Sequence, residues 1–344
     1  MAAAAPTYAI DAGDVRRDHE AVLDVWHGNL GEDARMRAKY DWFYLRCPYG
    51  EPLLRLLRFG TDAPPVGAAA AGPRRMVDGD RLIEAGVLVD LAVRAEHRSL
   101  GPALMLQMAL MEAGARRFDL LYGFPNPKAT AVFKRVGYAA LGELSRHARV
   151  LRHGDYVRRK LPALLAVPAG ALLDLLDRVR LWSRAGGLRA AWQSHADDAL
   201  AGVWSSATAG RGPVAVRDLD FLRWRIDASP LLDARYLVVR DRGGMSAAWF
   251  ACEAREHSLH VVDFWSSQGA AGPMPAQLAA LLRAARAGGH ASVSVELSTA
   301  AATTAWQGAG FAAREARPVF GRACEARADA FPAHAWLTTA DEDE

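Results

Sequence analysis

Two stretches of the 344-residue chain carry the same residues at the same separation. Val89-Asp90 returns as Val262-Asp263, and Gly137-Tyr138 returns as Gly310-Phe311, each 173 residues further on. The aspartate and the glycine are 47 residues apart in both places. Earlier in each half, Trp42-x-Tyr44-x-x-x-Pro48 is echoed by Trp224-x-Ile226-x-x-x-Pro230, at an offset of 182. Self-similarity at so long a period points to two copies of one structural unit. At roughly 150 residues per domain, the length accommodates both.

The apolar patterning of the two copies agrees. Leu53–Phe59, Val66–Ala71 (ending at Gly72-Pro73) and Leu82–Val93 read as strands. Gly101-Pro102 opens a helix, Asp119–Tyr122 is a further strand, and Lys128–Val136 is a short helix closed by Gly137. Residues 138–144 and 145–151 read as a closing strand pair. In the second copy, Arg235–Arg240, Ala247–Glu253 and Leu259–Trp265 are strands, followed by a helix at Pro275–Ala287. Ser292–Leu297 is then a strand and Thr299–Gly308 a helix stopped by Gly310. This order predicts an α/β protein with a mixed sheet in each copy: 1–151, a helical linker 152–211, and 212–344. The linker helix Ala171–Arg184 places Leu172, Leu175, Leu176 and Val179 on one face, which is expected to pack across the two domains. With Arg158-Arg159-Lys160 ahead of it, segment 158–184 is also a candidate for peripheral contact with an anionic membrane surface.

Composition excludes several function classes. A formal charge of +3, scattered along the chain, provides no basic face for nucleic acid. Cys47, Cys252 and Cys324 lie far apart, with no CxxC and no histidine cluster. Neither a disulfide framework nor a metal site is expected, which fits a reducing, cytoplasmic setting. The start Met1–Pro6 lacks the pattern of a signal peptide, and the apolar run 161–173 is too short to span a bilayer.

Chemistry concentrates after the third strand. Val87–Val93 leads through Arg94–His97 into Arg98-Ser-Leu-Gly-Pro-Ala103. A strand, a short loop and a helix start make a ready anion site, because the first N–H groups of a helix are unpaired and its dipole favours negative charge. Gly101 permits a close approach of backbone to ligand, and Arg98 adds a positive charge.

This segment resembles motif A of the GNAT superfamily of acyl-CoA-dependent N-acyltransferases, Arg/Gln-x-x-Gly-x-Gly/Ala, met by Arg98, Gly101 and Ala103. The likeness continues through Phe124-Pro-Asn126 to Gly137-Tyr138 and covers about residues 35–151, while 215–325 follow the same layout without the motif. The resemblance implies two GNAT-like domains in tandem, with acetyl-CoA or another acyl-CoA as co-substrate and no metal. It implies that the backbone of Leu91, Ala92 and Val93 pairs with the pantetheine arm, and that N–H groups of Ser99, Leu100, Gly101 and Ala103 hold the pyrophosphate. Asn126 stands where the family often places a residue near the cofactor. Pro102 departs from the pattern, since it has no N–H to give.

Acyl transfer to an amine needs a base for the amine and a proton for the leaving thiolate. Many members of the family use a tyrosine four residues before the glycine, where this chain has Phe133. Tyr138 and Tyr122 are substitutes by sequence. Asp90 leads as base, ahead of Glu84 and His97, with a purely structural role as the alternative. In the second copy Ala271, Met274 and Ala276 replace Arg98, Gly101 and Ala103, so that copy is expected to have lost the cofactor. Trp224, Arg223 and Arg225 either face an acceptor or pack on the sheet. The expected activity is N-acyl transfer to a primary amine, with an amino sugar suggested by the likeness of Gly123–Asn126 to polysaccharide-associated members. A non-catalytic binding or assembly protein of the same fold is the rival reading. A Fem-like aminoacyl transferase is another, although no basic groove or coiled-coil arm is visible in the sequence.

Overall fold

Short Val-, Leu- and Ala-rich runs separated by single helices have to bury both faces of a sheet, and here all of them join one. The computed structural model describes residues 6–154, 163–207, 212–324 and 335–342. In the first half, β1 (Tyr8–Gly13), β2 (Leu53–Phe59), β3 (Pro65–Asp78), β4 (Arg81–Val93) and β5 (Leu120–Gly123) lie side by side. In the second, β7 (Arg189–Gln193), β9 (Ala234–Arg240), β10 (Ser246–Arg255), β11 (Ser258–Ser266) and β12 (Ser292–Leu297) do the same, while β8 (Val214–Ala215) pairs with β3.

The two remaining strands cross between the halves. β13 (Ala312–Ala323) pairs antiparallel with β5, with Phe320 opposite Gly123. β6 (Ala139–Val150) pairs antiparallel with β12, with Val150 opposite Ser292. The two then pair with each other at the centre. Each half is therefore completed by the last strand of the other. The expected strand pair over 138–151 is instead the single strand β6, because its pairing partners come from the second half rather than from a local hairpin.

Helices cover both faces: α1 (His19–Trp26), α2 (Asp33–Phe43), α3 (Leu100–Gly114) and α4 (Pro127–Val136) in the first half. After them come α5 (Ala163–Arg184), α6 (Asp198–Ser205), α7 (Leu219–Leu222), α8 (Pro275–Ala287) and α9 (Ala300–Gly308). β3 runs on past Gly72-Pro73, where the sequence suggested a stop. The missing side chain at Gly72 makes room for Phe43, whose ring would lie 2.4 Å from a Cβ there. Helix α5 likewise continues through Pro168.

The repeated tryptophans meet where the halves pack together. Trp42 and Trp224 stack with centroids 5.2 Å apart. Each indole donates to the other's carbonyl, Trp42 Nε1 at 2.7 Å and Trp224 Nε1 at 3.2 Å. Trp224 and Arg225 are buried, and Arg225 donates to the Ala340 carbonyl at 2.8 Å. These residues serve packing between the halves.

Helix α5 rests on α8, but its Leu172, Leu175, Leu176 and Val179 point to solvent, against the expectation that this face packs across the domains. Arg158, Arg159 and Lys160 lie outside the described residues. No helix among the described residues is long and apolar enough to cross a membrane.

The segment 335–342 is drawn into the second half, where His260 bonds Ser294 Oγ at 3.0 Å and Thr339 Oγ1 at 3.1 Å. Burial, helped by Arg255, Arg146 and Arg317, lowers the His260 pKa from 6.5 to about 3. The folded protein keeps this ring neutral, whereas the unfolded chain takes up a proton below 6.5. The contribution to stability is complete above that value and is lost as pH falls, by at most about 1.4 kcal/mol per pH unit. We expect the melting temperature to drop more steeply from about pH 6 to pH 4 for the wild type than for His260→Gln. Parallel slopes would contradict this.

The strand exchange predicts that residues 1–151 expressed alone do not fold, since β5 and β6 each lose partners from the other half. Co-expression with 152–344 should give a soluble complex on size exclusion. A cooperative melt of the isolated first half would refute the expectation.

Candidate functional site

The site begins with an irregularity in β4. Ala70 opposes Val89 and Ala68 opposes Ala92, so Asp90 and Leu91 together face the single residue Ala69. This bulge turns Asp90 into the left-handed region, at φ 53°. The conformation is rare for a residue with a side chain, and here the carboxylate is fixed on both oxygens. Lys39 Nζ lies 2.7 Å from Oδ1 and the Tyr44 hydroxyl donates to Oδ2 at 2.9 Å. The Lys39 and Asp90 side chains are 3% and 5% exposed.

Ahead of the bulge the pairing with β5 ends. β4 pairs with β5 only from Ala85–Leu120 to Val87–Tyr122, after which the two diverge. An opening of about 150 Å³ lies between them, edged by Leu88–Leu91 on one side and Phe124–Asn126 on the other. Gln107 of α3 and Phe133 of α4 also line it. Asn126 caps α4, accepting from the Ala129 N–H at 2.9 Å, which leaves its amide nitrogen for a ligand. Gln107 is 1% exposed, and its side-chain oxygen has no hydrogen-bond partner among the described residues. Sequence reading passed over Gln107, although it is the only amide in the apolar stretch Ala103–Met111.

The same helix supplies an anion site at its start. Ser99 is extended ahead of α3 and its side chain makes no cap. Its N–H is taken by the His97 carbonyl at 2.9 Å. Pro102 has none, and the Ala103 N–H stands at the first position that bonds within the helix. Leu100 and Gly101 therefore provide the free donors. A Cβ on Gly101 would meet nothing within 4 Å, so this backbone is open to a ligand. Gly101 and Gln107 are six residues apart on one helix, about 9 Å along its axis. Arg98 is exposed and donates to the Asn29 side chain.

Asp90, Leu91, Asn126 and Phe133 thus converge on one opening, with Ala92 and Val93 continuing along β4 opposite Ala68 and Gly67. Other candidates stand apart. The Tyr138 ring lies 5.1 Å from Phe133, but its hydroxyl is buried without a partner among the described residues, and burial raises its pKa. Tyr122 donates to the Asp341 carbonyl at 3.0 Å. His97 bonds the Tyr8 hydroxyl, and Glu84 lies near Arg75 towards the other end of β4.

The equivalent place in the second half is full. Phe264, Trp265 and Trp306 stand where the first half has Leu91, Ala92 and Phe133. Phe264 packs on Trp306 at 5.1 Å and on Trp336 at 5.2 Å. The segment 335–341 fills the gap between β11 and β12: Leu297 bridges to Thr338, whose hydroxyl donates to Asp263 at 2.9 Å. Asp263 also meets Arg217 at 3.2 Å, and burial raises its pKa. At the start of α8, Gln277 accepts from the Met274 N–H at 2.8 Å and Pro275 has no N–H to give.

A search of solved structures returns proteins built the same way. One is a "Probable N-Acyltransferase" from Enterococcus faecalis V583, at 10% identity and TM-score 0.64, with 93% of this chain and 73% of that chain covered. Another is a GCN5-related N-acetyltransferase from Kribbella flavida, at 16% identity and TM-score 0.62, with 94% and 72% covered. A third is a GCN5-related glucosamine N-acetyltransferase region of a fungal multi-domain β-N-acetylglucosaminidase, at 14% identity and TM-score 0.56, with 93% and 38% covered. The fold is that of the GCN5-related N-acetyltransferases. No family model and no curated protein matches the sequence.

The first half fits an acyl-CoA: two free N–H donors, an uncrowded Gly101, and an unpartnered amide oxygen where the strands part. Gln107→Leu removes a buried polar atom that lacks a protein partner, so melting temperature should hold or rise. If Gln107 bonds the cofactor arm, acyl-CoA affinity should fall roughly tenfold, the worth of one hydrogen bond. Unchanged affinity by calorimetry would remove Gln107 from the site.

Proposed function

We propose that the chain is an N-acyltransferase that binds one acyl-CoA, most simply acetyl-CoA, in its first half and transfers the acyl group to a primary amine. The observation that carries this reading is the parting of β4 from β5 directly beside the open start of α3. Among the described residues, the equivalent place in the second half is filled by Phe264, Trp306 and the segment at Thr338. The cofactor, when bound, supplies an acyl thioester. The chain's own part is to hold the pyrophosphate with the N–H groups of Leu100 and Gly101 and Arg98 nearby. The edge of Leu91–Val93 then aligns the pantetheine arm, with Asn126 and Gln107 as polar contacts. The two copies of the repeat form a tandem pair in which the second copy walls and stabilises the first.

We propose an amino sugar as acceptor, the class acted on by one of the structural neighbours, and a cytoplasmic setting. Asp90 is the carboxylate at the opening. It either takes the proton of the amine or holds the bulge through Lys39 and Tyr44. The non-catalytic alternative draws on the same full occupation of the Asp90 oxygens and on Phe133, which has no proton to give.

Three measurements test the proposal. Gly101→Asp should abolish acyl-CoA binding with an unaltered circular dichroism spectrum, since the added Cβ meets open space. Titration of the intact protein should saturate at one acyl-CoA per chain, and a value near two would show that the second half binds as well. Asp90→Asn separates the roles of that residue. A base would lose turnover about 100-fold with unchanged acyl-CoA affinity. A purely holding residue would lose thermal stability and affinity together, because the buried ion pair between Lys39 and residue 90 is broken. Absence of both acyl-CoA binding and free-thiol release with any amine would sink the assignment.

A further inference from the structure

Helix α5 is turned inside out relative to an ordinary surface helix. Its inward side carries the carboxylates: Asp174 meets His153 at 2.8 Å and Arg286 at 3.4 Å, and Asp177 pairs with Arg149 and Arg286. Its outward side is apolar. Leu172, Leu175, Leu176 and Val179 are 54–58% exposed, and Trp182 is 71% exposed. At 100° per residue these five fall within an arc of about 120°. Arg178 borders one edge of the arc, and Arg180 and Arg184 the other. A groove of about 690 Å³ between α5 and α8 continues the basic margin with Arg189 and Arg283 beside Trp182. Among the described residues, none of these five arginines has an acidic partner.

We infer that α5 docks the protein onto an anionic lipid surface, its leucines and Trp182 entering the boundary between headgroups and acyl chains while the flanking arginines meet lipid phosphates. An apolar arc bordered by arginine with an aromatic at its end is the arrangement that lies in such an interface. The charges also argue against a second copy of the chain on this face. Two α5 helices face to face would bring arginine against arginine, because the aspartates of the helix are committed inward.

Flotation of the intact protein with phosphatidylcholine vesicles, with and without phosphatidylglycerol, tests the inference. The wild type should float with the phosphatidylglycerol vesicles only, and added salt should release it. Leu175→Glu with Leu176→Glu should abolish flotation. Arg178→Gln and Arg180→Gln, which keep the helix exterior soluble, should each weaken binding about fivefold. Circular dichroism and acyl-CoA affinity should be unchanged in all variants, since α5 contributes nothing to the opening beside β4. Failure of the wild type to float overturns the inference, as does flotation that survives the leucine substitutions or ignores the arginines. So does a wild-type dimer on size exclusion that the leucine substitutions convert to monomer without any vesicle binding.

Discussion

The exchange of β6 and β13 is the constraint on which the rest of the molecule depends. Each half lacks its own last strand and takes the other's, so the sheet is continuous and its two halves are thermodynamically tied. The site in the first half inherits this coupling. The wall formed by β5 is held by β13, and Arg317 of β13 sits over the Phe124 ring at 5.6 Å. Arg317 is in turn bonded to Glu296 and Glu342, residues of the second half. Burial opposes its charge, but these two carboxylates raise its pKa further. An opening lined by residues of the first half is thus braced by residues of the second.

The same fold twice does not give the same cavity twice. Close-packed interiors leave space only where side chains are small or strands are forced apart. In the first half Leu91 and Phe133 border the gap, and in the second the matching Phe264 and the larger Trp306 pack on each other. The C-terminal segment then completes the filling with backbone and hydroxyl bonds. At the start of α8 the Met274 N–H is taken by Gln277, and Pro275 offers none. These are independent changes with one outcome, and they explain why a repeat detectable in sequence has one open member.

Much of this was legible in the residues, and the remainder has a physical cause for being hidden. β2, α8 and β12 end where their apolar runs end, and Gly137 closes α4 at φ 99° as expected of a glycine there. Strand partners are different. A period of two says that a segment is extended, not which strand lies beside it, so β6 read as a local pair instead of half an exchange. Helix α5 shows a related gap: periodicity identified its apolar face but could not say whether that face looks inward. At the site, the motif through Gly101 falls at the start of α3. Gln107 needed the structure, because a single amide in an apolar helix gains meaning only once its oxygen is seen without a partner. Lys39 and Tyr44 gain their meaning only where folding brings them to Asp90.

Asp90 and Asp263 bear on what a carboxylate at the end of the central strand does in this fold. Both are buried, and both face a cation and a hydroxyl: Lys39 and Tyr44 in one case, Arg217 and Thr338 in the other. Burying such a pair is costly, and removing one partner costs more than the pair contributes. In the second half the same arrangement ties the strand end to the elements packed over it, Arg217 and the segment at Thr338. Only in the first half does that task include holding a residue with a side chain at positive φ. The ion pair there holds β4 at the bulge beside the opening. Whatever Asp90 does to a proton, its attachment to Lys39 and Tyr44 comes first, since without it the strand has no reason to stay bent.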